Sequence, residues 1–162
     1  MTPISLGRFG DARREAAGVL LHARLVENSA RGISVRRLGV DRAGELRLTR
    51  FLHSEAAGIE EMLATAAGRT ARRCRGRDVL VIQDTTVVRS SGGGGLYMHV
   101  AIALDARDGA LLGLVHASFL TRKQGRRAKR TSRPIRDKES RRWLEGAEAA
   151  ARVCAKARRI TV

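Results

Sequence analysis

Asp78-Val79-Leu80-Val81-Ile82-Gln83-Asp84-Thr85-Thr86 is the stretch around which the rest of the chain is interpreted. Its four consecutive apolar residues, three of them β-branched, predict a strand that is buried on both faces and ends at 83–86. A carboxylate at the end of such a strand is held rigidly, and hard cations such as Mg²⁺ need fixed oxygen ligands. Asp84 is therefore a candidate metal ligand, although Asp-Thr-Thr after a strand is also ordinary turn chemistry.

Two further strands follow this stretch. Residues 96–104 and 110–120 are apolar and β-branched, and the segment 105–109 between them (Asp-Ala-Arg-Asp-Gly) has the residues of a turn. The sequence therefore predicts an antiparallel hairpin. Asp105 and Asp108 lie within the turn chemistry, at the far end of the second strand from Asp84, so we do not assign them as metal ligands.

Two histidines lie in the predicted hairpin. If Leu104 pairs with Leu111, His99 and His116 face each other across the two strands. A zinc site would need a third ligand, and none lies at a suitable spacing. We interpret both as hydrogen-bonded strand histidines.

The C-terminal stretch predicts a helix and then another strand. Asp137 can cap a helix whose apolar residues recur on one face at helical spacing, with Trp143 as a core anchor. Ile160-Thr161-Val162 has the composition of a strand that is beginning, so the sheet is expected to be interrupted in its fourth strand.

The first half of the chain predicts short helices. Asp11 can cap a helix whose first turn contains Arg13 and Arg14, where their charges oppose the helix dipole and suggest a phosphate contact instead. Segment 34–52, which contains the candidate DNA contacts Arg47 and Arg50, is interrupted by glycines and predicts two helices. A helical DNA-binding module fits this pattern, and so does a helical packing domain with a solvated basic surface.

The charge is strongly positive and unevenly distributed. The 162 residues carry 32 Lys and Arg against 16 Asp and Glu, a net charge of +16. Such an excess favours a polyanionic partner, and we predict double-stranded DNA rather than an anionic membrane surface. An arginine-rich composition with solvated loops is the plainer alternative. The basic run after residue 121 supplies further candidate DNA contacts: Arg122, Lys123, Arg126, Arg127, Lys129 and Arg130.

Other classes of protein fit the sequence poorly. No run of about 18 apolar residues predicts a transmembrane helix, and the N-terminus lacks an apolar signal core. Cys74 and Cys154 lie far apart and outside any metal-ligand spacing, so we interpret them as reduced thiols of a cytoplasmic protein.

Several of these stretches resemble the N-terminal part of bacterial cut-and-paste transposases of the insertion-sequence-four family, most closely the transposon-five type. The matching stretches cover residues 9 to about 150, nearly the whole chain. The more specific ones are Val81-Ile-Gln-Asp-Thr-Thr86 and Asp137-Lys-Glu-Ser-Arg-Arg-Trp-Leu144, and the others are Phe9-Gly-Asp-Ala-Arg-Arg14, Met98-His-Val100 and Gly113-Leu-Val-His116.

The resemblance implies an α+β chain with two domains. Residues 1–75 would be a helical domain that binds transposon-end DNA, and 76–162 an incomplete ribonuclease-H-like catalytic domain with three strands, one helix and the start of a fourth strand. That catalytic domain would use an Asp-Asp-Glu triad with two Mg²⁺ or Mn²⁺ ions. Asp84 falls on the first catalytic Asp of the family and would be both a catalytic residue and a metal ligand.

The chain also departs from the family. No position matches the second catalytic Asp or the catalytic Glu, and one carboxylate cannot hold two divalent ions. We therefore expect a transposase fragment that binds DNA, as a possible dimer, without cutting it, in the bacterial cytoplasm at the nucleoid. The alternatives are a non-catalytic regulator or gene remnant that binds DNA and, from another class, a basic RNA-binding protein.

Overall fold

A computed structural model describes residues 4–28, 30, 33–88, 95–121 and 141–162. The described residues form an α+β fold with five helices and one mixed four-stranded sheet. The helices are α1 (Ala12–Glu27), α2 (Val35–Gly39), α3 (Arg42–Leu52), α4 (Ile59–Cys74) and α5 (Arg141–Val153). The strands are β1 (Asp78–Val88), β2 (Leu96–Asp105), β3 (Leu111–Thr121) and β4 (Arg159–Thr161). None of the helices in these ranges is long and apolar enough to cross a membrane.

The chain divides into an N-terminal unit, Met1–Thr65, and a C-terminal unit, Ala66–Val162. The division lies inside α4, whereas the sequence analysis set it between residues 75 and 76. Each unit has a buried apolar cluster of its own.

Polar side chains fix where the first three helices begin. Asp11 caps α1 as predicted, and its carboxylate accepts a hydrogen bond from the Arg14 N–H at 2.8 Å. Ser34 caps α2 and Asp41 caps α3 through the same three-residue reach. The predicted split of residues 34–52 into two helices is confirmed, because Val40 adopts a φ of 69° between α2 and α3.

The core of the N-terminal unit is built on two phenylalanines. Phe9 and Phe51 meet edge to face with ring centroids 5.1 Å apart, and both are buried. Leu21, Leu38 and Leu48 complete the cluster, one from each of the three helices. This packing holds α1 and α3 side by side.

The sheet order in the C-terminal unit is β3-β2-β1-β4. β1 pairs antiparallel with β2 and parallel with β4, and β2 pairs antiparallel with β3. The predicted hairpin is confirmed, including the Leu104–Leu111 pair and the turn in which Gly109 has a φ of 74°. The predicted fourth strand is also present.

The prediction for β1 is wrong in two respects. The strand does not end at 83–86 but continues to Val88, so Asp84 lies within it, opposite Val100 of β2. Only one of its faces is buried: Val79 and Val81 belong to the core, whereas Leu80 and Ile82 are 37% and 43% exposed. The physical reason is that successive side chains alternate between the two faces, and an apolar run is compatible with burial of either one or both.

The C-terminal ends of α4 and α5 meet in the core of this unit. Cys74 ends α4 and Cys154 follows α5, and their sulfur atoms lie 3.6 Å apart as free thiols. Both side chains are completely buried. Burial raises the pKa of both thiols, that of Cys154 to about 12.

Two side chains of α4 donate hydrogen bonds to the backbone of β3. The Thr70 hydroxyl donates to the Leu114 carbonyl at 2.7 Å, and the Arg73 guanidinium donates to the Leu112 carbonyl at 3.0 Å. Gly113 lies between these two carbonyls with a φ of 140°. Buried carbonyl groups of a strand need hydrogen-bond partners, and α4 provides one for each of these two carbonyls.

Asp105, at the end of β2, is a buried carboxylate that should make the stability of this unit depend on pH. It is 2% exposed, pairs with Arg77 at 2.5 Å, and accepts a hydrogen bond from the Arg107 N–H. The Arg107 N–H and then Arg77 lower the pKa of Asp105. A carboxyl group whose pKa is lowered by folding contributes stability above its unfolded pKa of about 3.9, and this is lost as the pH falls through the folded value.

We therefore expect Asp105→Asn to lower the melting temperature by several degrees at pH 7, with the difference from the parent shrinking below about pH 4. Asp108→Asn is the control, since Asp108 lies in the same turn but is exposed, and within the described residues it accepts a hydrogen bond only from the Ala110 N–H. The measurement is the melting temperature of the parent and of both variants at a series of pH values from 7 down to about 3. A constant difference at all pH values would contradict the assignment.

Candidate nucleic-acid interface

A groove in the N-terminal unit brings together four of the predicted DNA-binding residues. Its volume is about 540 Å³, and it lies between the first turn of α1 and one face of α3. Arg13 and Arg14 come from α1, and Arg47 and Arg50 come from α3. We call this feature the arginine groove; its other lining residues are Asp11, Ala17, Ala43, Leu46, Phe51 and Ser54.

The floor of the arginine groove is part of the apolar core. Ala17 and Phe51 are 7% and 4% exposed, and Phe51 packs on Phe9. Because the two helices are fixed by this packing, the backbone positions that carry the four arginines are set before any ligand binds. A preorganised cationic groove loses less conformational entropy on binding than one assembled from loops.

Most of the positive charge in the groove is unpaired. The guanidinium groups of Arg13, Arg47 and Arg50 make no ion pair or hydrogen bond within the described ranges, and all three residues are exposed. Arg14 differs, because its guanidinium pairs with Asp11 at 2.8 Å and donates to the Phe9 carbonyl at 3.1 Å. Unpaired guanidinium groups favour an anionic ligand, and arginine binds phosphate through two parallel hydrogen bonds.

Asp11 is the one acidic residue among those that line the groove. Its carboxylate is occupied as the α1 cap, and the Arg14 N–H is the main reason that its pKa lies below the usual value. Asp11 therefore stays charged and neutralises part of Arg14. The net charge presented to a ligand is carried by Arg13, Arg47 and Arg50.

The other predicted DNA contacts lie outside the described residues. These are Arg122, Lys123, Arg126, Arg127, Lys129 and Arg130. The predicted cap Asp137 also falls there.

A second run of arginines, at residues 69–77, has structural roles that the sequence analysis missed. Arg73 bonds the β3 backbone and Arg77 pairs with the buried Asp105. At Arg69, burial lowers the pKa of the guanidinium, and the like charges of Arg73 and Arg72 lower it further. These contacts join residues that are distant in sequence, so no local sequence pattern predicts them.

Asp84 lies on the exposed side of β1 in the C-terminal unit. It shares that side with Leu80 and Ile82, since side chains two apart point the same way. The residue is exposed and able to meet a ligand from solvent.

The described residues do not fit a two-ion site around Asp84. No group of three His, Cys, Asp or Glu side chains able to hold a metal ion occurs within them. A divalent ion bound by protein oxygens needs more than one fixed carboxylate or carbonyl partner, and a two-ion site needs several.

His99 is a structural histidine, as predicted, but not in the predicted pairing. Two irregularities in the β2–β3 register shift its partner to Ser118, while His116 lies opposite Ala101. The His99 ring is fully buried, with Nδ1 2.9 Å from the Thr85 hydroxyl and Nε2 3.2 Å from the Gln83 oxygen. With that oxygen facing the ring, Nε2 donates and Nδ1 accepts.

The surroundings of His99 keep it neutral. Burial, then the nearby charge of Arg142, lowers the pKa of His99. Trp143 of α5 packs edge to face on the ring at 4.7 Å, although the residue is 42% exposed. Trp143 thus covers the histidine, but the predicted core-anchor role is wrong, because the side chain is half exposed and lies outside the buried cluster of this unit.

No protein-family model matches the chain, and a comparison with curated proteins finds no match.

Proposed function

We propose that this chain is a portion of a transposase that binds double-stranded DNA through the arginine groove. The observation that carries the proposal is that Arg13, Arg14, Arg47 and Arg50, chosen from the sequence as DNA contacts, all line one groove. A net charge of +16 supports a polyanionic partner. The resemblance supplies the more specific expectation that the DNA is a transposon end.

The C-terminal unit supports the second part of the proposal, a ribonuclease-H-like domain. The resemblance requires a strand bearing Asp84, an antiparallel hairpin, a helix and a further strand. The order β3-β2-β1-β4, with β4 parallel to β1, agrees with that requirement. Asp84 is the residue that would bind Mg²⁺ or Mn²⁺. On this proposal the chain acts at the bacterial nucleoid, and a dimer on DNA is the form to look for in the complex.

The DNA-binding part is tested by fluorescence anisotropy on a labelled mixed-sequence duplex. The variant is the triple substitution Arg13→Gln, Arg47→Gln and Arg50→Gln. Each arginine that neutralises a phosphate contributes about 0.9 to the slope of log affinity against log salt. We expect the triple variant to bind roughly 10²- to 10³-fold more weakly near 0.1 M salt, with a slope smaller by about 3.

The matched control removes the same charge elsewhere. Arg24→Gln, Arg107→Gln and Arg152→Gln lie outside the arginine groove. This control should lose far less affinity. Equal losses in the two triple variants would mean that the groove is not the binding surface, and tighter binding to structured RNA than to duplex DNA would favour the RNA-binding alternative.

A second assay separates DNA binding from DNA cutting. Because the described residues supply no partners for Asp84 in a two-ion site, we expect the chain to bind supercoiled DNA with Mn²⁺ present but not to nick it. Gel analysis of the plasmid forms measures this. Nicking that is lost in Asp84→Asn would show that the chain is catalytically complete, and would leave the binding result unaffected.

A further inference from the structure

One face of α3 carries all of its exposed groove residues and is turned to solvent. Ala43, Leu46, Arg47 and Arg50 follow one another at steps of three, one and three residues, which places them on one side of a helix. All four are exposed. Leu48 and Phe51 of the same helix are buried in the core, so α3 presents a mixed apolar and cationic face outwards.

α3 is also held at a defined angle to the short helix before it. Gly39 of α2 and Gly44 of α3 approach so closely that a β-carbon on Gly44 would lie 2.1 Å from the Gly39 oxygen. The Asp41 carboxylate accepts a hydrogen bond from the Gly44 N–H at 2.7 Å. Two helices joined by a tight turn, with the second exposed on its outer face, have the arrangement in which the second helix enters the major groove of DNA.

The four arginines of the groove differ in their surroundings, and this difference indicates which part of the DNA each one binds. Arg47 and Arg50 lie beside exposed apolar side chains and have no partner in the described part of the chain. Arg14 is bound to Asp11 and the Phe9 carbonyl, and Arg13 precedes it in the first turn of α1. In the major groove, guanine edges accept hydrogen bonds from arginine and thymine methyl groups pack on apolar side chains, whereas phosphates accept from arginine without any apolar neighbour.

We infer that α3 reads the major groove and that the start of α1 binds the phosphates beside it. Arg47 and Arg50 donate to guanine edges, and Ala43 and Leu46 contact thymine methyl groups. The seven steps from Ala43 to Arg50 span about 10 Å at 1.5 Å per residue. This length covers roughly three base pairs at 3.4 Å each. The inference rests on the proposed DNA binding and adds which bases are read, and by which residues.

The test is selection of bound sequences from a pool of random duplexes, using the full chain. The parent should enrich a short motif containing guanines. Arg47→Ala and Arg50→Ala should each relax one guanine position, with a loss of discrimination of roughly 5- to 150-fold. Arg13→Ala should keep the motif, weaken binding to all sequences alike and reduce the salt slope by about 1.

A modified base tests whether the protein contacts the major groove of the DNA. Duplexes containing 7-deazaguanine lack the N7 acceptor, so they should bind the parent more weakly than unmodified duplexes do, while Arg47→Ala with Arg50→Ala should bind both equally. Circular dichroism confirms that each variant is folded. Duplex binding without a selected motif, or with a motif unchanged in both α3 variants, overturns the inference and leaves the proposed function intact. Failure to bind any duplex overturns both.

Discussion

Gly44→Ala is expected to disrupt the α2–α3 pair and to abolish DNA binding. A β-carbon at this position would lie 2.1 Å from the Gly39 carbonyl oxygen, and one on Gly39 would lie 2.3 Å from the Glu45 nitrogen. Both clashes are with backbone atoms, so no side chain can rotate to relieve them. Either helix must move, and we expect a loss of at least about 3 kcal/mol in the free energy of unfolding.

Urea unfolding followed by circular dichroism at the helix band measures this loss. The matched control is Gly68→Ala in α4, where a β-carbon would meet no atom of the described residues within 4 Å. A glycine in the interior of a helix costs about 0.5–1 kcal/mol relative to alanine, so this control should be slightly more stable than the parent. If Gly44→Ala unfolds at the same urea concentration as the parent, the close approach of α2 and α3 does not exist in solution.

Gly113→Ala is expected to destabilise the C-terminal unit by about 2–4 kcal/mol. Its φ of 140° is a conformation that residues with a β-carbon rarely adopt. The added carbon would also lie 2.4 Å from the hydroxyl oxygen of Thr70, which is 1% exposed. Displacing that hydroxyl breaks its 2.7 Å hydrogen bond to Leu114, so backbone strain and a lost hydrogen bond act together.

Two comparisons separate these causes. Gly109 has a φ of 74°, and no atom in the described part of the chain lies within 4 Å of an added carbon, so Gly109→Ala should show only the conformational cost of about 1–2 kcal/mol. Combining Gly113→Ala with Thr70→Ala removes the steric conflict, and the double variant should lose less than the sum of the single losses. Equilibrium unfolding followed by Trp143 fluorescence gives all four values. Equal losses for Gly109→Ala and Gly113→Ala would contradict the contact with Thr70.

The parts of the fold that the sequence predicts correctly depend on signals within a few residues. Asp11 caps α1, 34–52 forms two helices of which Asp41 caps the second, and the turn at 105–109 closes a hairpin. Each follows from which residues can supply a cap or adopt a particular φ. These choices are local, so the sequence is sufficient for them.

The errors concern interactions between distant residues. The run Val79–Ile82 indicates a strand but not how many of its faces are covered, because coverage depends on where α5 packs. The register of His99 and His116 depends on irregularities in the β2–β3 pairing, beside the unusual conformation of Gly113. Neither feature has a signature in the neighbouring residues.

The arginine groove lies between these two cases. Helical spacing from Leu46 to Arg50 predicts a common face on α3, and the cap Asp11 predicts that Arg13 and Arg14 begin α1. That the two helices face one groove depends on the packing of Phe9 on Phe51. The residue types were therefore predictable from sequence, and their assembly was not.

The thiols of Cys74 and Cys154 make the opening of one unit measurable by itself. They are the only two cysteines of the chain, both are in the C-terminal unit, and both are fully buried. Burial raises both pKa values, and it also keeps alkylating reagents, which attack the thiolate, away from both sulfur atoms while the unit is closed. The rate of alkylation under native conditions therefore reports how often this unit opens, and Gly113→Ala should be alkylated faster than the parent.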